Sequence, residues 1–234
     1  MSVLPIVSRI RRPSRVGLPT RQVHDQGDVN CCVSCALSAV MEARDPWMPP
    51  LAPLYHFYFA NGSNAITLGL TIADAQRALL QKGICARQLH DFTIVPANVG
   101  LEPDDVAVVD GLNRRPMDPA SGALLWKPVS PIDAERTWKR HLAAGSALLI
   151  ALQPTPAYFA LTREHPVLAD INGPYDAIGH AVAAIGYSDA DSVFVMQDSR
   201  GTGFGVDGQW FLPYALATSP FIVLAVALID ENED

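Results

Sequence analysis

Asp25-Gln26-Gly27-Asp28-Val29-Asn30-Cys31-Cys32-Val33-Ser34-Cys35-Ala36-Leu37-Ser38-Ala39 decides how this chain is read. Its first half is polar and contains Gly27, as a loop does. Its second half is largely apolar, with Val33, Ala36, Leu37, Val40 and Met41 at helical spacing. Asn30 is placed to cap the start, and Asp45-Pro46 ends the run, so a helix is predicted over 33–43 with Cys32 at its first turn. A thiol there meets the positive end of the helix macrodipole, which favours the nucleophilic thiolate. Gln26 lies six positions before Cys32, where its side-chain amide can turn toward the same point as the Cys32 backbone N–H. Two such donors stabilise an oxyanion.

An isolated cysteine in an apolar helix would read as a small buried hydrophobe. Two distant residues give Cys32 company. His180 follows Gly179 and precedes the apolar run Ala181 to Ile185, which projects an imidazole from a strand end into a cleft. Asp198 follows the apolar strand Val193 to Met196 and is placed to orient that imidazole from behind.

These segments resemble papain-like cysteine peptidases, particularly bacterial members that read DQG, a few variable residues, then Cys and a helix. The match runs from Asp25-Gln26-Gly27 through Cys32 to Met41-Glu42-Ala43. Gly179-His180-Ala181-Val182 with Ile185-Gly186-Tyr187 resembles the family's histidine motif. Asp198-Ser199-Arg200-Gly201-Thr202 with Gly208-Gln209-Trp210-Phe211 resembles its Asn-Ser-Trp-Gly segment and the next strand. The separation of Cys32 and His180 suits the family pattern. Gly69-Leu70-Thr71-Ile72 resembles the cleft wall on which an extended peptide pairs, so the resemblance implies that Gly69, Leu70 and Gly179 meet substrate.

The resemblance implies an α+β, two-lobed papain-like fold. A single catalytic domain would comprise a helical lobe over about 23–110 and a strand-rich, barrel-like lobe over about 1–22 and 111–234, with the cleft between them. It implies a cysteine peptidase acting through a Cys32 thioester, with Gln26, Cys32, His180 and Asp198 as the catalytic set and no cofactor or metal. The departures are Asp198 for the family's Asn, Arg200 for the neighbouring Trp that shields it, and Asn30-Cys31-Cys32 for Gly-Ser-Cys. An aspartate should stabilise imidazolium more strongly than a neutral amide, unless Arg200 pairs with it.

The 234 residues, 49% hydrophobic and 18% charged, suit a soluble globular protein. With a net charge of −7, nucleic-acid binding would need a local basic patch, and Arg9, Arg11, Arg12, Arg15 and Arg21 read instead as solvated surface. The N-terminus lacks a signal-peptide pattern, so a cytoplasmic protein is expected, and the motif stands where a family member without its propeptide would place it. Phe221 to Ile229 falls far short of the roughly 20 residues that span a bilayer and reads as a buried strand. A peptide or protein substrate is the expected partner.

Residues 1–22 read as an extended arm along a sheet, Thr71 to Lys82 and Pro131 to Ala144 as helices, and 92–131 as loops and short elements. Strands are expected at Ala147 to Leu152, Ala181 to Tyr187, Val193 to Gln197, Gln209 to Leu212 and Phe221 to Leu228. Gly203 to Gly208 satisfies G-x-G-x-x-G, but a strand-like segment follows where a dinucleotide site needs a helix. His24, His56, His90, His141 and His165 read as packing or surface residues. The rival readings are a Cys32–Cys35 CxxC oxidoreductase, a same-fold acyl transferase or deamidase, and an inactive peptide-binding homologue. Cys31 and Cys35 lack the further ligands a zinc site needs.

Overall fold

The computed structural model describes residues 13–45, 47–61, 69–118 and 121–229. The Arg9, Arg11 and Arg12 part of the basic cluster lies outside them, as does Pro46. The chain folds as α+β, with helices against an antiparallel sheet.

Helix α1 (Cys32–Arg44) is buried at every position from Cys32 to Ala43, which explains its near-continuous apolar sequence. Its start corrects the sequence reading: Cys31, not Asn30, is the N-cap residue, and no side chain caps it. A turn in which Val29 N donates to Gln26 O at 2.9 Å, followed by Cys31 N to Val29 O at 2.8 Å, brings the chain into the helix. The helix stops before Asp45, which is extended (φ −122°), as suits a residue preceding proline. Glu42, fully buried in the last turn, accepts Leu51 N at 2.8 Å and Arg21 N at 3.0 Å. Burial outweighs those donors and pushes its carboxyl up to about 7.

Helices α2 (Pro53–Asn61) and α3 (Ile72–Lys82) pack on one another beside α1. Thr71 Oγ1 caps α3 by accepting Asp74 N at 3.1 Å, and Gly83, at φ +66°, ends it. A Cβ at Gly83 would stand 2.0 Å from Gly111 O, so only glycine fits there. Gly111 belongs to α4 (Asp105–Asn113), a helix within the region expected to hold loops and short elements. Its signal was weak because Val106 and Val109 face solvent and glycine interrupts the run.

Among the described residues seven strands make one sheet: β1 (Arg15–Gly17), β2 (Lys127–Val129), β3 (Leu148–Leu152), β4 (His180–Ser188), β5 (Val193–Gln197), β6 (Gln209–Pro213) and β7 (Ile222–Ala227). The order is β2-β7-β3-β4-β5-β6, and β1 joins the far end of β4. That junction needs Gly186, since a Cβ there would lie 2.3 Å from Val16 O. Alternation along β4 separates two cores. Ala181, Ala183 and Ile185 meet Leu37, Val40 and Met41 of α1. Val182 and Ala184 face Trp138 and Leu142 of α5 (Ala134–Ala143), with Phe194 and Trp210. The small alanines let α1 approach the sheet, and Leu37→Ala there should cost roughly 2–5 kcal/mol.

The β3–β4 and β4–β5 pairings are antiparallel, so the start of β4 and the end of β5 share one edge of the sheet. His180 and Asp198 are thereby brought together. Gly203 to Gly208 forms turns leading into β6, in line with the reading against a dinucleotide site. No helix among the described residues is long and apolar enough to cross a membrane.

Candidate active site

A cleft of about 470 Å³ lies where the N-terminus of α1 meets that edge of the sheet. Gln26, Cys32, Gly69, Gly179 and His180 line it. Asp198 stands behind His180, buried, with its Oδ1 at 3.1 Å from the ring's Nε2. Nε2 is thus engaged by the carboxylate, which leaves Nδ1 for Cys32, the ring's other hydrogen-bonding partner. Burial by itself would push the imidazole down, but the hydrogen bonds and charges of Asp198 and Cys32 outweigh it and raise the ring to about 10. The site therefore favours imidazolium at neutral pH.

Cys32 is 8% exposed and opens on the cleft, whereas Cys31, Cys35 and Cys85 are sealed at 0%, 2% and 0%. Cys35 turns its sulfur to Cys31, at 3.7 Å. Burial is the main cause that raises the Cys35 thiol well above its ordinary value, and the bond to Cys31 adds to it. This arrangement speaks against the Cys32–Cys35 oxidoreductase reading. Among the described residues no cluster of three or more His, Cys, Asp or Glu is arranged to hold a metal.

Gln26 is fixed at both ends of its amide. Its Oε1 accepts from Ser199 Oγ at 2.5 Å, and its Nε2 donates to Val29 O at 3.1 Å. One Nε2 hydrogen remains, on a residue lining the cleft. The Cys32 N–H, at the first helical position, has no intrahelical acceptor. Backbone bonds tie the loop to the segment after Asp198: Gln26 N to Ser199 O at 2.8 Å, and Gly201 N to His24 O at 2.9 Å.

Two residues that the sequence did not single out for the site complete the Asp198 environment. Tyr158 Oη and Trp210 Nε1 donate to Asp198 Oδ2 at 2.8 and 3.0 Å, while Ser199 N donates to Oδ1 at 2.9 Å. With His180 that makes four donors, a set an ionised carboxylate can accept and an asparagine amide cannot. Trp210 was legible only as part of a strand. Tyr158 sits in α6 (Pro156–Phe159), a single turn that no periodicity announces. Tyr158 and Trp210 cover Asp198 where the resemblance led one to look for a tryptophan at position 200.

Arg200 takes another place. Its guanidinium carbon lies 4.9, 5.1 and 5.8 Å from the ring centroids of Phe204, Phe159 and Tyr158, and it lines the cleft. Among the described residues no ion pair joins it to Asp198. Gly69 stands on the helical wall, beside Asn30. Leu70 packs its side chain into the cores around α1, so only its backbone is left for a ligand.

No family model matches the sequence, and no curated protein matches it either. Solved structures do. Xylellain, a cysteine protease from Xylella fastidiosa, superposes with a TM-score of 0.78 at 21% identity, over 97% of this chain and 90% of that one. The fold is that of papain-like cysteine proteases. A Carica candamarcensis cysteine protease, in complex with E-64, gives 0.66 at 17% identity over 92% and 97% of the two chains. The bromelain protease of Ananas comosus, also with E-64, gives 0.65 at 14% identity over 93% and 100%.

Proposed function

We propose that this chain is a cysteine peptidase that hydrolyses peptide bonds through a thioester on Cys32, working as one catalytic domain with the cleft between its helical and strand-rich parts. The observation that carries the reading is His180, held by Asp198 on one side and facing Cys32 on the other. The Cys32 thiolate attacks the peptide carbonyl carbon. The oxygen, now negative, is held by the Cys32 N–H and the free Nε2 hydrogen of Gln26. His180, as imidazolium, gives its Nδ1 proton to the leaving amine, and the C–N bond breaks. A water molecule then loses a proton to His180 and attacks the thioester, which releases the acid and restores the thiolate–imidazolium pair. Gly69, Gly179 and the Leu70 backbone are assigned to the substrate. Support comes from the shared fold, the cleft and the separate environment of Cys32 among four cysteines.

The test is E-64 or iodoacetamide at mildly acidic pH, followed by peptide mapping and an assay on mixed peptides. Cys32 should be modified far faster than Cys31, Cys35 or Cys85, with loss of cleavage. Equal labelling of all four overturns the reading. Product masses that show transfer to an amine in place of hydrolysis assign the chain to acyl transfer.

A further inference from the structure

Arg200 has no role in the mechanism above, yet it is built into the same cleft. Three aromatic rings lie around its guanidinium and one of its N–H groups bonds the Tyr158 hydroxyl, which leaves the fork's other donors for a ligand. Among the described residues it forms no ion pair. Apart from the Cys32–His180 pair, the other charged side chains lining the cleft are Asp25, Asp28 and Asp176, all acidic. Asp25 Oδ1 is turned back to its own loop, where it accepts Gly27 N at 3.1 Å. For a carboxylate entering the cleft, Arg200 is therefore the place of opposite charge beyond the His180 ring.

Its position indicates which end of a substrate it would meet. Gly69 stands against Asn30 on the helical wall, the side assigned to pairing with the acyl segment. Arg200 belongs to the sheet-side wall. It stacks on Tyr158, whose ring also lies 5.7 Å from that of His180. His180 protonates the leaving amine, so groups flanking it on this wall face the leaving fragment. We infer that Arg200 selects substrates with a carboxylate just downstream of the scissile bond, pairing with it through the guanidinium fork. This rests on the peptidase reading for its direction along the substrate. Two sources supply such a carboxylate: an aspartate or glutamate side chain, and the free C-terminus of a short leaving peptide.

Four dipeptides separate them: alanyl-glutamine and alanyl-glutamate, each as the free acid and as the C-terminal amide. Calorimetric titration of the full chain at millimolar peptide should show carboxylate-bearing forms binding about tenfold tighter than alanyl-glutamine amide. The amide of alanyl-glutamate reports the side chain, and free alanyl-glutamine the terminus. In Arg200→Gln the preference should fall to within about twofold, and Arg200→Lys, which keeps charge without the fork, should lie between. Equal affinity for acids and amides in the parent protein, no binding of any of the four, or a preference that survives Arg200→Gln overturns the inference. The parent comparison decides even if a variant fails to fold. Carboxylate preference without cleavage of any peptide removes the peptidase reading, and with it the direction along the substrate, and leaves the carboxylate site at Arg200. Cleavage without carboxylate preference removes this inference alone.

Discussion

Two histidines, His56 in the core and His180 at the cleft, are partnered by residues of the first turn of α1, and they are held in opposite states. His56 lies between Ser34 Oγ, 2.8 Å from Nδ1, and Ala75 O, 3.0 Å from Nε2. Burial lowers it to about 4, and the Ala75 carbonyl opposes that only in part. His180 is also penalised by burial, yet its bonds and charge interactions with Asp198 and Cys32 bring it to about 10. His56 is fully buried and the His180 side chain is 12% exposed, but it is their partners that set them apart. A hydroxyl and a carbonyl hold a neutral imidazole, whereas the carboxylate of Asp198 and the sulfur of Cys32 favour a cation.

The comparison breaks first in turnover. Cys32→Ala or His180→Ala should lower kcat by about 10⁴-fold or more, because the pair acts as a unit, while Ser34→Ala leaves kcat near that of the parent. A peptidase assay on the purified variants checks both halves. Asp198→Ala should cost on the order of 10³-fold, since the ring loses charge and orientation together. It also strands the Tyr158 hydroxyl and the Trp210 N–H without their acceptor.

Asp198→Asn keeps the size of the side chain and removes its charge, together with part of its capacity to accept the four donors. A neutral amide holds the proton on His180 less tightly, so the alkaline limb of kcat/KM moves to lower pH. A limb that stays in place would mean that the charge of Asp198 does not set the ring. Gln26→Ala should lower turnover by roughly 10²-fold, about 3 kcal/mol of lost transition-state stabilisation. Its melting temperature should fall only modestly, because two hydrogen bonds contribute about 1 kcal/mol each.

The smallest expected effects are slopes of stability with pH. His56 titrates below its unfolded value of 6.5, so its contribution is present above pH 6.5 and is lost as pH falls toward about 4. His24, also lowered to about 4, adds to the same loss. His180 titrates above its unfolded value, so its contribution is present below pH 6.5 and is lost as pH rises toward about 10. Denaturant melts across pH should show His56→Gln flattening the acid side and His180→Gln the alkaline side.

The elements legible in the sequence are those whose pattern is local. Helix α3 had a capping threonine and a closing glycine, and β3 to β7 had apolar runs between turns. Cys32, Gln26, His180 and Asp198 could be named because each sits at an element boundary in a motif, and the structure gathers them at one cleft. Tyr158 could not. Its role depends on a single helical turn brought under Asp198 from forty positions away, and nothing local marks that contact. Arg200 was visible as a departure, but two of the rings around it belong to α6, far from it in sequence. Helix α4 was hidden because its exposed valines blur the helical period.

The bonds that clasp 24–26 to 199–201 have a consequence in time. Ser199 Oγ and Gln26 Oε1 are 173 positions apart, and the loop bearing Gln26, the proposed oxyanion donor, is braced by a segment that follows β5. Contacts of such separation close late, after most of the loop entropy between them has been lost. On the ribosome, a chain elongated only as far as the helices would carry Cys32 and Gln26 with neither imidazole nor brace. The proposed catalytic set would mature only once β5 and the residues just after it have emerged and paired, so on that reading a half-made chain is unarmed toward its neighbours.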